Sequence, residues 1–272
     1  MENQFNKTSN GLKILAFIGL FIGCGIVSTI ITVPLVLLFK NNLLFINAIA
    51  TIFWFGGSAF AYQMIFSKKE IANTFCQNLK WKTIVIAIFV FTIITPLASY
   101  FSVENGNYNN LMLENIKDTS YLGLVSLIIS MALIPAIIEE WFFRGVLQKI
   151  MIDWTKYAWI GILITSIIFS LIHFDIDNFV ARLILGLALG LTFYYTKNIW
   201  TNILVHFINN SFAAIEMWLL VRQNKTLDDE NMPWYLALTS LIVCIIVIVY
   251  LEKKNKKNIL KKIKNEENIE IL

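Results

Sequence analysis

What most limits this chain is a succession of apolar runs, each close to the roughly 20 residues that carry a helix across a ~30 Å hydrocarbon core. Eight can be marked, over residues 14–39, 43–66, 83–101, 121–149, 158–174, 179–195, 200–221 and 234–251. In hydrocarbon every backbone N–H and C=O must find its partner within the protein, so runs of this kind fold as helices. The expected fold is therefore all-α, a polytopic transmembrane bundle of about eight spans. Composition agrees, with 57% hydrophobic and only 15% charged residues among 272. The first run exceeds the core of a secretory signal peptide and reads as a retained span.

The runs divide the chain into 1–120 (three N-terminal spans and a polar loop), 121–222 (four spans that hold the chemistry) and 223–272 (a last span and a Lys-rich tail), in one integral domain. Between them lie a polar link through Lys80, an Asn-rich loop at 102–120 and the acidic Asp228-Asp229-Glu230. The formal charge of +4 comes largely from the tail, which holds Lys253-Lys254, Lys256-Lys257, Lys261-Lys262 and Lys264 and reads as a frayed or interfacial helix. The bias of Lys and Arg orients the spans. The tail, Lys7, Lys13, Lys68, Lys69, Lys80, Lys82, Lys149, Lys156 and Lys197 fall on one side, and Lys40, Lys117, Arg182, Arg222 and Lys225 on the other. Both termini are then cytoplasmic, and a bacterial plasma membrane is the expected location. Basic patches interleaved with aromatics are absent, so no nucleic-acid partner is expected. Cys24, Cys76 and Cys244 are far apart with no CxxC, which reads as small apolar residues rather than a disulfide or zinc framework. Gly186 and Gly190 stand in a GxxxG spacing that permits close helix contact.

Against this apolar background a few ionisable side chains stand out. The stretch Ile134-Pro-Ala-Ile-Ile-Glu-Glu-Trp-Phe-Phe-Arg-Gly145 places Glu139 and Glu140 inside a span, with Arg144 four residues after Glu140 on the same helical face. Both histidines of the chain also lie in spans, as Phe169-x-x-x-His173 and His206-x-x-x-Asn210. Intramembrane ionisable groups are costly and face protein interiors or cavities. Facing helices of a bundle can bring such groups to one polar site. Each has a plainer reading as well: the Glu pair as interfacial, a membrane histidine as a helix–helix hydrogen bond, Arg182 as a snorkelling residue. Asn209, Glu216, Asn47 and Thr51 read as structural. The joint occurrence favours a site.

Taken together, these residues resemble the CPBP family of intramembrane proteases, which includes the CAAX-processing endopeptidases. The resemblance rests on Glu139-Glu140-x-x-x-Arg144, Phe169-x-x-x-His173 and His206-x-x-x-Asn210, in that order, and covers roughly residues 121–212. It implies a glutamate-type intramembrane endopeptidase, of a kind often labelled a metalloprotease, that acts on a membrane-associated peptide or protein. It also implies roles: Glu139 as general base, His173 polarising the water, His206 and Asn210 donating to the oxyanion, and Glu140 with Arg144 as the supporting pair. No cofactor is expected. Zinc held by Glu139, His173 and His206 is the alternative, although the chain has no HExxH. A non-proteolytic role, in bacteriocin immunity or as a sensor-kinase partner, is the alternative function, and a transporter is disfavoured by the lack of repeat halves. One tension remains. Simple counting puts His173 near the outer end of its span and His206 near the inner end of its own, so the spans must be staggered, broken or tilted. Pro135 could assist by kinking the Glu-bearing span.

Overall fold

The computed structural model describes residues 9–39, 42–103, 112–225 and 232–270, apart from the side chains of Ala72 and of residues beyond 257. Lys7, Lys40, the Asp228-Asp229-Glu230 loop, residues 104–111 of the Asn-rich loop and the side chains of Lys261, Lys262 and Lys264 lie outside that description.

The described chain is helical throughout, with no strand. Helix α1 (Asn10–Leu38) begins where the Ser9 hydroxyl accepts the N–H of Leu12, an N-cap that satisfies one orphan donor. It is followed by α2 (Leu43–Phe66), α3 (Lys68–Phe75), α4 (Trp81–Tyr100), α5 (Tyr121–Thr155), α6 (Ala158–Leu171), α7 (Phe179–Thr196), α8 (Ile199–Arg222) and α9 (Trp234–Glu270). Seven of these are long and apolar enough to cross a membrane, and α6 is a shorter apolar helix of 14 residues. The eight expected runs are all helices, and one of them is short. The Lys-rich tail continues α9 as helix. Helix α3, in the stretch read as a polar link, was not anticipated. Its Thr74 and Phe75 face inward, Phe75 packing on Trp141 and Trp200.

The core gathers where α1, α2, α5 and α6 meet. Phe142 lies 5.0 Å from Phe55, 5.2 Å from Phe17 and 4.9 Å from Phe143, and Phe143 lies 5.0 Å from Phe169. Helix α5 contains two π-helical turns, Ile129–Leu133 and Trp141–Leu147. Such wide turns recur at functional sites. The second begins directly after Glu140, and every residue from Phe142 to Leu147 is buried. A helix buried all round is a core element rather than a lipid-facing one.

The length of α6 resolves the tension in depth. Fourteen residues rise only about 21 Å, and the chain then turns at Phe174, which adopts a left-handed conformation (φ 52°). The α5–α6 hairpin starts well below the α7–α8 turn. Thr155 is roughly 22 Å along the axis from Glu140, whereas Ile199 is only roughly 10 Å from His206. A short helix that starts low therefore brings His173 to the level of His206. The GxxxG pair of α7 lets α7 approach α6 closely. A Cβ on Gly186 would lie 3.1 Å from Ser166 Cβ, and one on Gly190 would lie 2.7 Å from Ile162 Cγ2.

Candidate active site

Helix α5 supplies two carboxylates with different surroundings. Glu140 is fully buried, and its Oε1 accepts from Arg144 Nη1 and from His206 Nδ1, each at 2.9 Å. Its Oε2 accepts from Asn202 Nδ2 at 3.3 Å. Arg144, equally buried, donates its Nη2 to the carbonyl of Gly186 at 3.1 Å and lies 5.0 Å over the ring of Phe169. Isolated charges at such a depth are prohibitive, and the pair persists because each partner is both countered and hydrogen-bonded. The glycine that lets α6 approach α7 thus also offers its carbonyl to the arginine.

Glu139 is different. Its Oε2 is buried and has no hydrogen-bond partner, yet His206 Nε2 stands 3.9 Å away and His173 Nε2 4.0 Å away. The tautomers of both rings follow from their other nitrogens. His173 Nδ1 is 2.7 Å from the carbonyl oxygen of Phe169, which can only accept, so Nδ1 carries the proton. His206 Nδ1 faces the Arg144-paired carboxylate of Glu140 and likewise donates. In neutral imidazoles both Nε2 lone pairs then point towards the Glu139 carboxylate. Phe169 holds the two rings, with its centroid 5.0 Å from His173 and 5.9 Å from His206.

All six residues singled out in the sequence sit in this region, but not as one cluster. Glu139, His173 and His206 converge, and Glu140 and Arg144 lie behind His206. Asn210, one turn beyond His206, donates its Nδ2 to the carbonyl of Met131 at 3.2 Å, and its own Oδ1 accepts from Asn209 at 3.2 Å. Pro135 has no N–H to offer the Met131 carbonyl one turn back, and the Asn210 amide donates to that carbonyl. Asn202 escaped the sequence reading. Together with His206 and Asn210 it forms an i, i+4, i+8 series on one face of α8, and it also donates to the Leu189 carbonyl at 2.6 Å. Arg182 does not snorkel. It donates to Asp175 Oδ2 at 2.7 Å, and Asn178 ties the same buried carboxylate to the backbone of Val103. This network anchors the turn immediately after His173. Cys24 and Cys244 are only partly buried and Cys76 is exposed, so none of the three is a fully buried apolar residue.

Among the described residues no group of three His, Cys, Asp or Glu side chains is placed to hold a metal ion. Ligands about 2.1 Å from a tetrahedral zinc lie roughly 3.4 Å from one another, closer than the separations found here. A water hydrogen-bonded at about 2.8 Å to two groups bridges a gap of about 4 Å easily.

The family described as type II CAAX prenyl endopeptidase Rce1-like matches residues 121–212, the stretch that holds Glu139, Glu140, Arg144, His173, Asn202, His206 and Asn210. Over residues 121–212 the chain is similar to that family. Over 89 residues the chain is 29% identical to a Bacillus subtilis (strain 168) protein whose printed name is "Putative membrane peptidase YdiL". The aligned part is 33% of this chain and 36% of that relative, so the chain matches about a third of the relative's length. No solved structure matches. The matched stretch runs from α5 to the middle of α8, and α1, α2 and α4 pack around it.

Proposed function

We propose that the protein is an intramembrane endopeptidase that hydrolyses a peptide bond of a membrane-associated substrate, with Glu139 as general base. The observation that carries this reading is the buried, unpartnered Oε2 of Glu139 facing Nε2 of both histidines at 3.9 and 4.0 Å. Acceptors facing one another across such a gap call for a donor between them, and a water, whose hydrogen-bond lengths fit the gap, can donate to Glu139 and to one of the two imidazoles at a time. The family match and the similarity to a protein named as a membrane peptidase support the same class.

In this reading a water that donates to Glu139 and to one of the two imidazoles gives a proton to Glu139 as its oxygen attacks the scissile carbonyl carbon. The tetrahedral intermediate then collapses, the C–N bond breaks, and the departing amine takes the proton back from Glu139. Glu140 fixes the orientation of His206 through Nδ1 and is itself fixed by Arg144 and Asn202. The second N–H of the Asn210 amide, beyond the one given to Met131, is the donor on that residue that could serve an oxyanion. Zinc is not required, since the separations suit water better than a shared ion. The reading places the protein in a bacterial plasma membrane with both termini cytoplasmic. It makes no demand for a prenyl group on the substrate.

The test compares wild type with Glu139→Gln in the native membrane by mass spectrometry of peptide termini. Gln keeps size and polarity but cannot take the proton. Specific termini should vanish in the variant while protein level holds. Identical termini at equal protein level would sink the peptidase reading.

A further inference from the structure

We propose that the cleft at the Lys-rich end of the bundle, between the ends of α5 and α7, binds a phosphate ester that carries a neighbouring hydroxyl or amine. That is the chemistry of a phospholipid headgroup. The cleft comprises two adjoining cavities of about 260 and 110 Å³ that share Gln77, Lys149 and Phe193 in their walls. It is separate from the candidate active site, since Gln148 lies two turns, about 12 Å, along α5 from Glu140, with the buried Arg144 between.

Three features define what would fit. First, Lys149 and Lys197 both line the larger cavity, and Glu70 in the adjoining one is the single carboxylate in the walls, 3.1 Å from the Lys149 amine. One positive charge is left over. Lys197, just past the end of α7, stands 4.3 Å over the ring of Tyr194, and burial, then the charge of Lys149, pushes its ammonium below the usual lysine range. An anion between the two amines would relieve that repulsion. Second, Gln148 is buried, and its Nε2 donates to the Gly190 carbonyl at 3.0 Å, yet its Oε1 has no donor. A buried amide oxygen left without a donor is costly. It calls for an O–H or N–H next to the phosphate. Third, the cleft lies where the apolar stretch of α7 ends, the level at which basic pockets between transmembrane helices meet lipid headgroups.

Purified full-length protein in phosphatidylcholine nanodiscs gives the test, which needs no enzymatic activity and so stands or falls apart from the peptidase reading. Thermal unfolding is followed before and after part of the lipid is replaced by phosphatidylglycerol, and separately with inorganic phosphate. A ligand that binds only the folded state raises the unfolding temperature. Wild type should gain a few degrees, and the exposed-tail control Lys253→Gln/Lys254→Gln should gain as much. The double variant Lys149→Gln/Lys197→Gln should lose most of the gain. Where that variant does not fold in phosphatidylcholine alone, Lys197→Gln by itself carries the comparison. A gain with phosphatidylglycerol but not with phosphate identifies the ligand as lipid, and an equal gain with phosphate identifies a free anion. No gain in wild type with either probe, or a gain that the lysine variants retain, overturns the proposal.

Discussion

Asn210 and Met131 are joined across two helices, the side-chain amide of one meeting the main-chain carbonyl of the other at 3.2 Å. Pro135, four residues on, has no N–H for that carbonyl, and the amide gives it a donor. The bond therefore has a structural function whatever else Asn210 does. Asn210→Ala should destabilise the protein by about 0.5–1.5 kcal/mol, the net worth of a part-buried hydrogen bond. Pro135→Ala restores a backbone N–H at the right place. In the double variant most of the lost stability should return, whereas turnover should stay low if the amide also serves the reaction. Thermal unfolding and cleavage measured on the four-member cycle separate the two roles.

Glu139 and Glu140 are neighbours in sequence with opposite expected phenotypes. Glu139→Gln removes a base and leaves no ion unpaired, so its unfolding temperature should match wild type while cleavage is lost. Glu140→Gln leaves the buried Arg144 without its counter-charge, which costs about 3–5 kcal/mol. At roughly 2–4 °C per kcal/mol for a chain of this size, its unfolding temperature should fall by about 10 °C. Equal stability of the two variants would refute this division.

Asn202 touches no reacting atom in the proposed mechanism and acts through Glu140. Asn202→Ala should leave Glu140 Oε2 and the Leu189 carbonyl without this donor. We expect a stability loss of about 1–3 kcal/mol and a lower kcat with KM little changed, because orientation of His206 rather than substrate binding suffers. A raised KM at unchanged kcat would instead place Asn202 in the substrate path.

Chelation tests the choice of water over zinc. Prolonged dialysis against a strong chelator should leave cleavage by the purified enzyme unchanged, and added zinc should not enhance it. Loss on chelation with recovery on zinc would reinstate Glu139, His173 and His206 as ligands.

The catalytic candidates were legible because they are rare: two histidines in 272 residues, both in apolar runs, are hard to attribute to chance. The spans were legible for the same physical reason, since a membrane leaves helices as the natural option for long apolar runs. Other features depend on partners that are distant in sequence. Asn202 is one of several amides in its span, and only Glu140, 62 positions away, distinguishes it. Arg182 reads as interfacial until Asp175 is seen beside it. The end of α6 is also hidden. Hydropathy carries on through Ile172 and Phe174, while the helix stops at Leu171 because Phe174 turns left-handed. The π-helical turns of α5 leave no trace in an apolar pattern, which reports how greasy a segment is and not how tightly it is wound.

The shortness of α6 has a consequence for the supply of the second reactant. A rise of about 21 Å falls about 9 Å short of an ordinary hydrocarbon core, and a mismatch of that size is met by thinning of the adjacent bilayer or by polar groups drawn inward. The turn after His173 already brings Asp175, Asn178 and Arg182 to that position. Hydrolysis consumes one water per bond cut, and oil is a poor source of it. By stopping early, one helix gives the aqueous phase a shorter path to the His173 imidazole than a full-length span would leave.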